Sequence, residues 1–197
     1  MSSVKADLAR PDGGLLDLIK ARRSVRRYTA QRIPEADLLR LVEAGRWAPS
    51  GSNRQPWIFV AVDDPEQLEA LQAFAPGIIG RPAAVIAVCI DGYGNARDDG
   101  DEDLPPMDAA MAAQNILLEA AALAIGSCPV LSYDAPSVSR LLGLPEEVRL
   151  ELLIALGYPA GPVRVPRRRR TMAQVGHRNR FGRPFEGAAA WDGDGPK

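Results

Sequence analysis

The sequence predicts an α+β fold in which a small central sheet is covered by helices. Three observations lead there. Segments with helical spacing of apolar residues alternate with short apolar runs of strand length. One such run, Ala83–Ile90 (AAVIAVCI), has no polar face and reads as a strand buried on both sides. Finally, Met107–Ile125 is alanine-rich and apolar almost all round, so as a helix it belongs in the core or at a subunit interface.

A first helix is predicted from Leu15 to about Arg22, with Leu15, Leu16, Leu18 and Ile19 as its apolar stripe. Pro34 suits the first position of a second helix, Glu35 and Asp37 suit its positive end, and Leu38, Leu41, Val42 and Gly45 recur at helical spacing. That helix stops before Pro49. Trp57–Val62 (WIFVAV) is a strand, and Pro65 to Phe74 a third helix. Residues 91–106 form a Gly/Asp-rich loop ahead of the long helix, which Gly126 terminates. Asp134–Leu142 is helical, and Leu150–Leu156 is a third strand closed by Gly157-Tyr158-Pro159. Residues 1–13 and 186–197 lack any period that would bury a face and are expected to be flexible ends of one domain over 14–185.

Composition removes several function classes. Lys and Arg total 24 against 25 Asp and Glu, so general polyanion binding is disfavoured. Two cysteines and one histidine exclude a disulfide framework and a His-rich zinc site, and no metal is expected. Residues 1–14 hold no secretory apolar core and no run is long enough to span a membrane, so a cytoplasmic protein without membrane or nucleic-acid partners is expected.

Three polar clusters sit at element ends. Arg22-Arg23-Ser24-Val25-Arg26-Arg27-Tyr28 follows the first helix; it reads either as a solvated helix end complementing the dipole or as an anion site. Pro49-Ser50-Gly51-Ser52-Asn53-Arg54-Gln55 precedes Trp57 and is either a plain turn or a set of hydroxyls and carboxamides suited to a heterocycle edge. Arg164 and Arg167–Arg170 are either a solvated basic run or ligands for a small anion. With no aromatic interleaved, RNA binding fits this run less well.

In order, these clusters resemble the nitroreductase family. Arg22–Tyr28 is similar to its R-R-S-x-R-x-[FY] opening, and Ala48–Trp57 (APSGSNRQPW) to its A-P-S-x-x-N-x-Q-P-W motif. Gln114–Ala121, Leu123–Pro129, Leu141–Pro145 and Leu156–Pro159 resemble its later segments, so the likeness spans roughly 15–177. It implies a mixed or antiparallel sheet ringed by helices, the long helix at a dimer interface, and a homodimer holding FMN between its subunits.

On this resemblance Arg22, Arg23 and Ser24 match positions at the phosphate and ribityl end of FMN, and Arg26 the basic residue beside N1 and O2 of the ring. Pro49, Ser50, Ser52, Asn53 and Gln55 match the loop supplied by the other subunit. Pro129, Val130, Leu131 and Ser132 match a turn over one ring face, where a backbone N–H approaches N5. Arg167 and Arg169 match C-terminal phosphate ligands. The implied activity is two-step electron transfer from NAD(P)H through tightly bound FMN to a nitroaromatic, quinone or activated alkene. No side chain acts as a catalytic acid or base; the cofactor carries the chemistry. Related chemistries (dehalogenation, flavin destruction) and non-enzymatic binding of flavin or nucleic acid are the alternatives. Gly77 and Gly80 make no dinucleotide fingerprint, His177 reads as a polar end residue, and Cys89 as an inert strand residue. Cys128 reads as a small structural residue, and Asp98–Asp103 as a solvated acidic loop.

Overall fold

A computed structural model describes residues 14–92, 104–163 and 169–191. Four strands form one sheet in the order β1-β2-β4-β3: β1 (Trp57–Val62), β2 (Ala84–Ile90), β4 (Arg149–Gly157) and β3 (Gly126–Val130). Every neighbouring pair is antiparallel. Around it lie α1 (Leu15–Ala21), α2 (Glu35–Arg46), α3 (Pro65–Phe74), α4 (Leu104–Ala122) and α5 (Ala135–Leu141). The chain divides into two compact units, one ending at Val163 and one beginning at Arg164.

Two apolar clusters explain the continuous hydrophobicity of β2. Ile86, Val88 and Ile90 point into a core shared with Leu38 and Leu41 of α2 and Ala112, Ala113 and Ile116 of α4. Val85, Ala87 and Cys89 point the other way, onto Leu68 and Leu71 of α3 and Val138 of α5. Helices therefore cover both faces, and an antiparallel strand acquires a pattern usual in parallel sheets. Burial, reinforced by the Glu151 charge, pushes the Cys89 thiol up to about 12, which keeps it inert at neutral pH.

β1 and α3 occupy the predicted residues, and Asp64 caps α3 by accepting from Glu66 and Gln67 N–H groups. Three expectations are corrected. The sheet has a strand that the sequence reading lacked: Gly126–Val130, which includes Pro129 and Val130 of the expected turn. Pro129 is tolerated because β3 is an edge strand, where a missing N–H breaks no ladder. Gly126 does not end α4; Ala124 does, at φ 58°, with Ile125 N–H donating to Ala120 O and Ala124 N–H to Ala121 O. The α1 stripe is present as read, and Leu15, Leu16 and Ile19 on it are 67%, 49% and 43% exposed. The last residues of the expected 91–106 loop, 104–106, are the first turn of α4, and 93–103, including Asp98–Asp103, lie outside the described residues.

In the C-terminal unit, α6 (Met172–Val175) carries a capping box in which the Gln174 side chain accepts from Thr171 N–H. The His177 ring meets Phe181 edge-on at 4.7 Å, and a short 3₁₀ turn spans Ala188–Trp191. Among the described residues no helix is long and apolar enough to cross a membrane, and no acidic, Cys or His cluster could hold a metal ion.

Candidate functional site

The arginine-rich segment is fastened to β3 and to the residues that follow β4. Val25 N–H donates to Ser127 O at 2.9 Å, Thr29 N–H to Tyr158 O at 2.8 Å, and Ala160 N–H to Arg27 O at 2.9 Å. Val25 and Tyr28 then sit where side chains are missing: a Cβ on Gly126 would lie 2.7 Å from Val25, and one on Gly157 2.8 Å from Tyr28. The Tyr28 hydroxyl donates to Val25 O at 2.5 Å, and its burial raises its pKa above the ordinary tyrosine range.

Gly77 and Gly80 belong to this corner too. Gly77 N–H donates to Ser132 O at 3.0 Å, while Gly80, at φ 81°, leaves room for Arg26 O, which a Cβ would approach to 2.3 Å. Arg22–Tyr28, Gly77–Gly80 and Val130–Ser132 thus meet at one end of the sheet. There Arg26 is exposed, with no hydrogen bond or ion pair among the described residues. Leu131 is 77% exposed, whereas Val130 turns into the core. Arg23 is otherwise engaged: its guanidinium donates to Lys20 O and, at 2.8 Å, to Arg22 O, the helix-end role that the cluster also suggested.

The second cluster is built differently. Gly51–Asn53 is a 3₁₀ turn, yet Ser52, Asn53 and Gln55 have φ of 51°, 57° and 52°. Each left-handed non-glycine residue costs about 1 kcal/mol, so the surroundings must hold them. Ser50 Oγ accepts from Gln55 N–H at 2.9 Å, and Asp108 Oδ1 of α4, a buried carboxylate, accepts from Gly51 N–H at 3.1 Å. The side chains of Ser52, Asn53 and Gln55 remain exposed. Just before the loop, Glu43 Oε1 accepts from Trp47 Nε1 at 2.6 Å and Glu43 Oε2 from Arg46 Nε at 2.7 Å. Those bonds, Arg46 first and Trp47 second, hold the Glu43 carboxyl down at about 2.

The two clusters do not meet within one chain. Ser24 bridges Ser127, whose row runs through Leu156 and Ala84 towards the end of β1, whereas the loop enters β1 at Trp57 on the far edge. Strand geometry places these points about 19 Å apart across the sheet and about 17 Å along it. Asp108 near the start of α4 and Ser127 just beyond its end give the same ordering. Of the C-terminal arginines, Arg169 is exposed and Arg170 donates to Gln174 O at 2.9 Å. Arg164, Arg167 and Arg168 lie outside the described residues.

Sequence reading missed Asp108, Gly77 and Gly80 as parts of the site. The glycines had one available signal, their position between an arginine segment and a strand, but no motif; an isolated acid on an apolar helix was the only mark of Asp108.

The antiparallel sheet enclosed by helices is the fold of solved nitroreductase structures. The chain belongs to the nitroreductase family, whose model matches residues 19–79 and 75–158, and is an oxidoreductase of that family. A protein of Archaeoglobus fulgidus named as an NADH dehydrogenase/NAD(P)H nitroreductase is 35% identical over 150 residues, covering 73% of this chain and 84% of its own. An iodotyrosine deiodinase of Thermotoga neapolitana is 28% identical over 177 residues, covering 75% and 90%. Among solved structures, the NADPH:FMN oxidoreductase of Vibrio harveyi complexed with NAD⁺ superposes with a TM-score of 0.73 at 27% identity, covering 89% of this chain and 79% of that one.

Proposed function

We propose that the chain is an FMN-dependent oxidoreductase, using NADH or NADPH to reduce an electron-poor small molecule in two successive half-reactions, at sites shared by two copies. The observation that carries this reading is the wide separation of two clusters whose exposed groups suit different parts of one flavin. A separation of more than about 20 Å by strand geometry exceeds what one flavin ring spans, which supports a second copy bringing the loop of one chain to the arginines of the other. The exposed apolar residues of α1, with Met107 and Met111 of α4, offer a surface for that copy.

The donor chemistry fits FMN. When bound, FMN supplies a carrier that accepts two electrons and gives them up again. Arg26 holds a permanent positive charge on an anchored backbone, which favours the electron-rich form of the ring beside it. Arg22 and Ser24 serve the phosphate and ribityl end. Arg23 can join them only by releasing the helix-end carbonyls. Ser52, Asn53 and Gln55 present hydroxyl and carboxamide groups to a heterocycle edge. Leu131 covers a ring face with Pro129 exposed beside it, Ser132 stays with Gly77, and the buried Val130 contributes backbone only. Arg169 and Arg167 serve the phosphate. Two unpaired, buried cysteines suit the reducing cytoplasm. Likeness to a deiodinase makes reductive dehalogenation the second reading of the same site.

Titration of purified protein with FMN, followed by mixing with NADH or NADPH, tests the reading. Saturable uptake and bleaching of the yellow colour are expected. Arg26→Ala slows reduction more than it weakens affinity, and Arg169→Ala does the reverse. Equal effects of both variants on both quantities contradict the assignment, and absence of uptake contradicts the function.

A further inference from the structure

We propose that Asp108 is a positioning residue, holding the Ser50–Gln55 loop through the Gly51 N–H in the form that presents Ser52 and Asn53 to the flavin; this rests on the function proposed above. Asp108 is only 3% exposed. The other residues of α4 that belong to the buried core (Ala109, Ala112, Ala113, Ile116, Leu117 and Ala120) are all apolar. A carboxylate in such surroundings is costly unless donors are aimed at it. Its donor comes from 57 residues away, from the loop itself.

The loop's other backbone N–H bonds stay inside it. Asn53 donates to Ser50 O, Arg54 to Gly51 O and Gln55 to Ser50 Oγ. These bonds shape the turn, but they do not say where on the protein the turn sits. The bond to Asp108 does, because α4 is packed against three strands' worth of core and offers a fixed reference. Ser52, Asn53 and Gln55 all hold left-handed backbones, a form that a loosened loop would leave. The charge is not the essential part. A neutral carboxamide at 108 retains an oxygen that accepts from Gly51, whereas a methyl group does not.

The test compares wild type, D108N and D108A by three measurements: hydrogen exchange at the Gly51 amide without cofactor, FMN affinity by titration, and circular dichroism of the bound flavin. A hydrogen bond to a charged acceptor leads us to expect D108A to lose Gly51 protection, bind FMN about tenfold or more weakly and alter the flavin dichroism. D108N keeps Gly51 protected and binds within about threefold of wild type. FMN binding and dichroism unchanged in a D108A whose Gly51 amide exchanges freely overturn the proposal, as does a Gly51 amide unprotected in wild type. Should D108A fail to fold, D108N decides: loss of Gly51 protection there with FMN affinity and flavin dichroism unchanged overturns it. Wild type with a protected Gly51 but no FMN uptake sinks the functional reading instead, and with it the positioning role, while leaving the tether itself intact.

Discussion

The two halves of the candidate site are held by opposite means. Val25–Thr29 is held by three backbone hydrogen bonds, one to β3 and two to the residues that follow β4, with Val25 and Tyr28 seated over glycines. Ser50–Gln55 joins no strand; Ser50 Oγ accepts from Gln55 N–H within it, Asp108 accepts from its Gly51 N–H, and three of its residues hold left-handed backbones. Redundant backbone pairing makes the first half insensitive to most side-chain changes but intolerant of added volume. The second half tolerates volume in solvent and is sensitive to the loss of one acceptor.

Gly80→Ala breaks the first half most severely, because the new methyl meets Arg26 O in a backbone conformation that L-residues resist. A loss of about 3 kcal/mol in urea unfolding is expected from the combined clash and strain. Ser50→Ala acts on the second half, removing the acceptor for Gln55 N–H; about 1 kcal/mol is expected by the same measurement, with a larger effect on FMN affinity than on stability. Gly80→Ala as stable as wild type, or Ser50→Ala costing as much as Gly80→Ala, breaks the contrast.

The smallest effect sharpens the approach to the loop. Glu43 has its carboxyl depressed from 4.5 to about 2, so its bonds to Arg46 and Trp47 contribute fully above pH 4.5 and are lost as pH falls through about 2. Being fully exposed, the pair has little weight in global stability. Trp47 fluorescence should nevertheless change with a midpoint near pH 2, and Glu43→Gln should abolish that change. A midpoint near 4.5 contradicts the hydrogen-bonded geometry.

How much of this was legible depended on whether a residue's neighbours were local. Trp57–Val62 followed by Asp63, Asp64 and Pro65 carries its own strand, cap and helix start, and the structure has them at those residues. β3 was unreadable because Gly126-Ser127-Cys128-Pro129-Val130 has the composition of a turn; it is a strand only because β4 offers an edge and Val25 needs the space at Gly126. The α1 stripe was visible, but its period says that one face is apolar, not which molecule covers it. In the site, the clusters stood out by composition, whereas their tethers did not. Gly77, Gly80 and Asp108 act at a distance in sequence, and no spacing rule links Gly51 to a residue 57 positions on.

Sharing of each site between two chains is tested most directly by mixing two defective variants. Arg26→Ala damages the basic corner and Asn53→Ala the loop, so each alone should have strongly reduced FMN-dependent NAD(P)H oxidation. Random pairing of equal amounts, after subunit exchange, rebuilds one intact site in each mixed dimer, and activity should return to about a quarter of the wild-type value. A mixture no more active than the average of its two components, with exchange verified by mass, would place both clusters' work within single chains and contradict the shared site.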